Sequence, residues 1–131
     1  MDAVILGASG YTGQETLDRV LAHPELDVLA LGSDSLAGQP AAALDPRLAR
    51  NGAAASVPSF VRNAEALARG ADVVFVCLGH EEAAALRPPP TGVVVDLSGG
   101  HRLRDSAAYE AWYGFAHPEP AGLDAWEYAL P

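Results

Sequence analysis

The chain has 131 residues, half of them hydrophobic and 19% charged, which is material for one core and not two. Its formal net charge is −9, and all eight basic residues are arginines. That balance repels phosphate backbones and offers no polybasic patch to an anionic bilayer, so neither nucleic acid nor membrane is expected as a partner.

Asp2 to Leu6 carries the apolar run Ala3-Val4-Ile5-Leu6 and ends at Gly7, as a buried strand does. Tyr11 to Ala22 reads as a helix with Leu17, Val20 and Leu21 on one face, closed by His23-Pro24. Leu26 to Gly32 is a second apolar run. Strand, helix and strand in about 30 residues make a right-handed βαβ unit of a parallel sheet. Leu36 to Val57 holds Gly38, Pro40, Pro46 and Gly52 among alanines and predicts a long connection with one short helix at Ala41 to Leu44. Asn63 is placed to cap a helix from Ala64 to Arg69 that Gly70 closes. Val73 to Leu78 predicts another buried strand, with Cys77 inside it. Glu81 to Leu86 predicts a short helix stopped by Pro88-Pro89-Pro90, and Val93 to Leu97 a further strand. Asp105 or Ser106 caps a helix through Tyr113 that Gly114 ends. The tail from Phe115 is expected to be irregular.

Alternating buried strands and helices predict an α/β fold, a doubly wound and mostly parallel sheet of the Rossmann-like kind, as a single domain over residues 1–131. Ligands of such sheets bind beyond the carboxyl ends of the strands, which directs attention to the segment after each strand. The first is Gly7-Ala8-Ser9-Gly10-Tyr11-Thr12-Gly13, a G-x-x-G-x-x-G turn between a strand and a helix. Gly7 allows a tight turn, Gly10 a close backbone approach to a pyrophosphate, and Gly13 close packing of helix on sheet. The helix end adds free N–H groups and a positive dipole. Ser9 and Thr12 add hydroxyls. The second segment, Ser33-Asp34-Ser35, lies where an acidic residue grips a ribose 2′-hydroxyl; Asp34 either does this, favouring NAD, or caps a turn, and with Asp34 turned away the Ser33 and Ser35 hydroxyls can hold a 2′-phosphate. The third, Gly79-His80-Glu81-Glu82, offers a backbone approach and a histidine; its two acids read as helix-end charges. The fourth, Asp96 to Arg104, holds Ser98, Gly99 and Gly100 beside His101, Arg102 and Arg104, and its arginines suit phosphate or carboxylate.

Cys77 is the only cysteine, which excludes an intramolecular disulfide and a cysteine zinc cluster. Its apolar surroundings make it a core filler rather than a nucleophile. No His–carboxylate spacing suggests a metal. The aromatic segment Tyr109 to Tyr113 reads as packing. No apolar run approaches the roughly 20 residues of a membrane span, and no secretory leader is read at Met1-Asp2, so a cytoplasmic location is expected.

Taken in order, several segments resemble one family. They are Gly7 to Gly13, Ser33 with Ala37-Gly38, Ala71 to Phe75 with His80, Asp96-Leu97-Ser98 with Arg102-Leu103, and Tyr109, Trp112-Tyr113-Gly114, His117 and Tyr128 with Leu130-Pro131. The series resembles the N-acetyl-γ-glutamyl-phosphate reductases of arginine biosynthesis and the related aminoadipyl-phosphate reductases. Aspartate-semialdehyde dehydrogenases are more distant cousins. The resemblance implies an oxidoreductase that uses NADPH to convert an acyl phosphate to a semialdehyde through a cysteine thioester. It implies Gly7 to Gly13 at the pyrophosphate, Ser33 to Ser35 at the adenosine ribose, and His80, Ser98 and Gly99 toward the nicotinamide; Gly79, where the family usually has Pro, is expected at the cofactor and Arg102 at the substrate from the residue types alone. The family usually has Arg where Asp34 stands, which opens NAD as an alternative to NADP. Its nucleophile lies in a Gly-Cys-aromatic-x-Thr motif beyond the Tyr-Gly-Leu-Pro segment, so no catalytic residue is assigned here. The chain is therefore expected to be the cofactor part of such a reductase, cut before its catalytic domain and inactive alone, with acyl phosphate bound only alongside the missing domain. Exposed apolar surface makes self-association an expectation. A stand-alone nucleotide-binding or redox-sensing module is the alternative.

Overall fold

The computed structural model describes residues 1–50, 57–87 and 92–129. Gly52, Pro88-Pro89-Pro90 and Leu130-Pro131, which the sequence reading invokes, lie outside the described residues. Strand β1 is Asp2–Leu6, helix α1 Tyr11–Ala22 and β2 Asp27–Gly32. Then come α2 (Ala41–Leu44), α3 (Pro46–Arg50), β3 (Phe60–Val61), α4 (Asn63–Ala68), β4 (Val73–Val76), α5 (His80–Ala84), β5 (Val93–Asp96) and α6 (Ala107–Tyr113). The five strands form one sheet in the order β3-β2-β1-β4-β5, and every pair is parallel. The order reverses between β1 and β4, the switch point at which doubly wound sheets bind ligands.

Strand periodicity builds both faces. Ala3 and Ile5 of β1 pack on Leu17 and Val20 of α1 together with Leu31, Leu48 and Phe60. Val4 and Leu6 point the other way, into Ala66 of α4, Val74, Val76 and Ala83 of α5. Alternate residues of a strand face opposite sides, so β1, apolar at four successive positions, must lie at the centre with a layer on each side. The connection after β2 is tied down by charge. Arg47 holds Asp45 through two guanidinium donors, Nε–H shared between both carboxylate oxygens and Nη2–H on one, and reaches Glu15 of α1 at 2.8 Å.

The structure corrects several boundaries. β4 stops at Val76, so Cys77 lies past the strand end and is only partly buried. α5 begins at His80. The two-residue β3 and the helix α3 were too short to show a period in sequence. Asn63 is not the cap of α4: Arg62 holds that position and Asn63 begins the helix. Ser106 holds the cap position of α6 without a side-chain bond, and Asp105 before it accepts the Ala107 N–H at 3.0 Å. Pro120–Ala125 in the tail forms a 3₁₀ helix.

Helix α6 and the segment after it are held by Tyr109, which is fully buried. Its ring packs against Tyr113, Phe115 and His117, and its hydroxyl accepts the Leu103 N–H at 3.0 Å. Tyr109→Phe strands that donor, so a loss of about 1–2 kcal/mol is expected in urea unfolding at unchanged slope. An unchanged midpoint would show that water replaces the hydroxyl.

Candidate functional site: the carboxyl edge of the sheet

The turn after β1 is built without side chains. Gly7 has φ +69°, and a Cβ there would meet the Cys77 carbonyl oxygen at 2.4 Å. A Cβ on Gly13 would meet the Gly7 oxygen at 2.3 Å, so α1 can start over the end of β1 only with glycine at that position. Gly10 differs. Its backbone is extended (φ −76°, ψ 169°), and a Cβ would meet only the Gly7 oxygen, at an ordinary 3.5 Å. Among the described residues nothing requires glycine there. Gln14 N–H finds the Gly10 oxygen at 2.9 Å. Among the described residues the N–H groups of Tyr11, Thr12 and Gly13 before it have no backbone acceptor, as the open end of a helix requires. That end suits an anion.

The end of β2 folds over this turn. Ala8 N–H donates to the Gly32 oxygen at 2.8 Å. Ser33 is only 2% exposed, and its hydroxyl lies 2.7 Å from Ser9 Oγ, 3.4 Å from Ser35 Oγ and 3.3 Å from the Leu36 nitrogen that donates to it. Ser33 thus braces two loops. Asp34 accepts the Asn63 N–H at 3.0 Å and the Asn63 side-chain N–H at 3.1 Å. Asn63 Oδ1 in turn accepts the Gly7 N–H at 3.0 Å. An open cleft of about 320 Å³ runs between these loops, lined by Gly7, Ser9, Gly10, Ser33, Asp34, Ser35 and Gly79, with Asn63, Cys77, Leu78 and Glu82. Among the described residues no atom lies within 4 Å of the place a Cβ on Gly79 would occupy.

A second cleft of about 500 Å³ adjoins it, lined by His80, Leu97, Ser98, Gly99, Arg102, Trp112 and Tyr113. Gly99 N–H donates to His80 Nδ1 at 2.8 Å, which places the proton of the neutral ring on Nε2. The Gly99 N–H is thereby used internally. A Cβ on Gly99 would strike Tyr113 Oη at 2.4 Å, so packing also demands glycine there. Arg102 is exposed over the Tyr113 ring, 5.5 Å from its centroid, and makes no ion pair among the described residues. Beneath it, Asp96 accepts from Ser98 N–H at 2.8 Å and pairs with His101 Nδ1 at 2.7 Å. His101 stacks on Trp126 with ring centroids 3.9 Å apart.

Residues 2–126 match the family described as semialdehyde dehydrogenase, NAD binding domain. The chain belongs to that family. It is 42% identical over 136 aligned positions, covering all of this chain, to a protein named as a LysW-L-2-aminoadipate 6-phosphate reductase from Thermomicrobium roseum. It is 41% identical to an N-acetyl-gamma-glutamyl-phosphate reductase of a Jannaschia species over 89% of this chain, and 40% identical to one of Acidothermus cellulolyticus over 97%. The chain spans about a third of the length of these relatives, 36%, 34% and 35% respectively.

For a semialdehyde dehydrogenase NAD-binding domain, the expected site residues divide into three groups. Gly7, Ser9, Gly10, Ser33, Asp34, Ser35 and Gly79 share the first cleft, and His80, Ser98, Gly99 and Arg102 the second. Ala8 is buried beneath the turn, and Gly13 is a packing position. The Tyr11 side chain is 93% exposed beside neither cleft. Thr12 lines neither, although its N–H lies at the helix end. Asn63 is the residue that sequence reasoning missed. Its placement depends on the pairing of Gly32 with Val61, a register that no local pattern reveals. Cys77 touches the cleft floor, where burial pushes its thiol up; a hydrogen bond with Thr16 at 3.5 Å offsets that only in part.

Burial pushes the Asp96 carboxyl up, but the bonds from His101 and Ser98 together outweigh it and hold it below its ordinary value. The folded chain therefore binds this proton less readily than the unfolded one. The stability it gives is complete above the unfolded value, about 3.9, and is lost as pH falls through the lower folded value. Asp96→Asn is expected to cost stability at pH 6, and that cost should shrink as pH is taken below about 4. A cost independent of pH in urea titrations would assign the effect to packing.

Proposed function

We propose that the chain is the cofactor domain of a reductase that turns an acyl phosphate into a semialdehyde in amino-acid biosynthesis. N-acetyl-γ-glutamyl phosphate of the arginine pathway is the leading substrate, and an aminoadipyl phosphate is the second. The names of the relatives support this class. The observation that carries the cofactor assignment is the pair Gly10 and Gly79. Every glycine whose Cβ would clash has an internal reason to be glycine. These two flank the open end of α1, and a side chain on either would enter the cleft rather than the protein. Residues that keep such a cradle empty fit a ligand that approaches the backbone closely.

In this reading the helix end at Gly10 to Gly13 faces the pyrophosphate, with Gly7, Ala8 and Ser9 shaping the turn beneath it. Ser33 to Ser35 border the adenosine ribose. Gly79, His80, Ser98 and Gly99 form the wall toward the nicotinamide. Arg102 stands where an anionic substrate group is held. The bound dinucleotide supplies a hydride for reduction of a carbonyl carbon. The chain's own residues bind, orient and exclude water. His80 Nε2–H is a proton donor lining that cleft. Cys77, with a raised thiol at the floor of the other cleft, is assigned to packing, and the nucleophile to the part of the enzyme that the relatives have and this chain does not match.

The resemblance implies NADP. The structure supports NAD instead, because the Asp34 carboxylate stays at the cleft wall, where an added 2′-phosphate would meet its charge.

Gly10→Val tests the assignment. Extended backbone accepts valine, so stability is expected to hold within about 1 kcal/mol, while NADH affinity, read by fluorescence titration, is expected to drop by at least about tenfold. Undiminished affinity in a folded variant would remove the turn from the site.

A further inference from the structure

We infer that Asn63 is a positioning residue for both ends of the dinucleotide cleft and that it sets the choice between NAD and NADP through Asp34. This deepens the proposed cofactor assignment and rests on it. Three hydrogen bonds converge on this one residue. Its backbone N–H and its side-chain N–H each donate to a different oxygen of Asp34, at 3.0 and 3.1 Å. Its Oδ1 accepts the Gly7 N–H at 3.0 Å. The two ends fix the amide orientation without ambiguity, because a backbone N–H needs the oxygen and a carboxylate needs the nitrogen.

The surroundings are shaped for this contact. A Cβ on Gly32 would lie 2.5 Å from Asn63 Oδ1 and 3.2 Å from its Cα, so the end of β2 is bare where α4 arrives. β3 pairs Val61 with Gly32, which brings Asn63 alongside Asp34 two residues further on. Glutamate there would offer no side-chain N–H to Asp34, and arginine no acceptor to the Gly7 N–H. Asn63 has both the length and the mixed donor and acceptor character to bridge a carboxylate and an N–H.

The consequence is chemical. An unanchored aspartate on a loop can rotate away from a 2′-phosphate. Asp34 is held by two donors on one rigid residue, and each oxygen keeps a lone pair for a ribose hydroxyl. The anchor therefore turns Asp34 into a fixed discriminator that accepts a diol and repels a phosphate. The same residue fixes the Gly7 N–H, so the phosphate turn and the ribose end are set in one step.

The test is a double-mutant cycle on the full chain, read as the ratio of NADH to NADPH affinity. The wild type is expected to favour NADH by at least about tenfold, and Asn63→Ala to shrink that ratio by at least about threefold. In an Asp34→Asn background, Asn63→Ala is expected to leave the ratio unchanged within about twofold. Circular dichroism and a melting curve check folding; if Asn63→Ala fails them, Asn63→Ser, with a residue at home in a first helical turn, takes its place in the same cycle. An equal loss of both cofactors or an equal ratio change in both backgrounds would overturn the inference while leaving the cofactor assignment intact; a wild type that favours NADPH would overturn the inference and the NAD preference but leave the dinucleotide site. A wild type that binds neither dinucleotide would overturn the assignment, and the inference with it.

Discussion

The start of α1 lies so close to the end of β1 that no side chain fits between them. A Cβ on Gly13 would lie 2.3 Å from the Gly7 oxygen and 2.5 Å from the Ala8 Cα. That contact sets where the helix axis points, and so where its positive end opens. It also fixes β1 as the central strand, because α1 covers one face while α4 and α5 cover the other. With β1 central, β2 and β4 flank it, and the loops that leave them become the two walls of the cleft. A binding edge then arises from a packing requirement, before any residue is chosen for a ligand.

The loops at that edge are braced by one repeated device. A polar side chain near the start of a helix accepts a backbone N–H from another loop. Asn63 of α4 takes Gly7, His80 of α5 takes Gly99, and Tyr109 of α6 takes Leu103, at 3.0, 2.8 and 3.0 Å. Each bond contributes only about 0.5–1.5 kcal/mol. Their value lies in preorganisation, because a loop already fixed loses less entropy when a ligand arrives. Ser33 supplies a fourth brace, between the first turn and the end of β2. The second cleft also has an apolar rim. Leu97 and Trp112 line it, Trp112 is 79% exposed, and Tyr128 stands exposed beyond Leu97 in the neighbouring hollow.

Much of this was legible in sequence, and for physical reasons. A central parallel strand must be apolar on both faces, so Ala3 to Leu6 announced itself. A turn that admits no side chain must be written in glycine, so Gly7 and Gly13 did too. The α1 bounds matched because His23-Pro24 ends a helix by sterics. What escaped was set by distant partners. β3 has two residues and exists only because β2 offers it an edge. Asn63 reads as a cap in isolation and acts as a bridge because of register. Asp34 reads as either a ribose ligand or a turn cap, and the structure shows it held by a helix start. Cys77 lies one residue past the end of β4 although it sits in an apolar run, because such a run does not mark where pairing stops.

The most direct measurement is an NMR titration of the ¹⁵N-labelled chain with NADH, following backbone amides. The account expects the largest shifts at Gly10 to Gly13, at Ser33 to Ser35 and at Gly79, with smaller ones at Ser98 and Gly99, and none on the amino-terminal ends of the strands. Saturable shifts confined to those loops would place the dinucleotide across both clefts. No shifts at millimolar NADH, or shifts centred elsewhere, would contradict the claim that the carboxyl edge is a dinucleotide site.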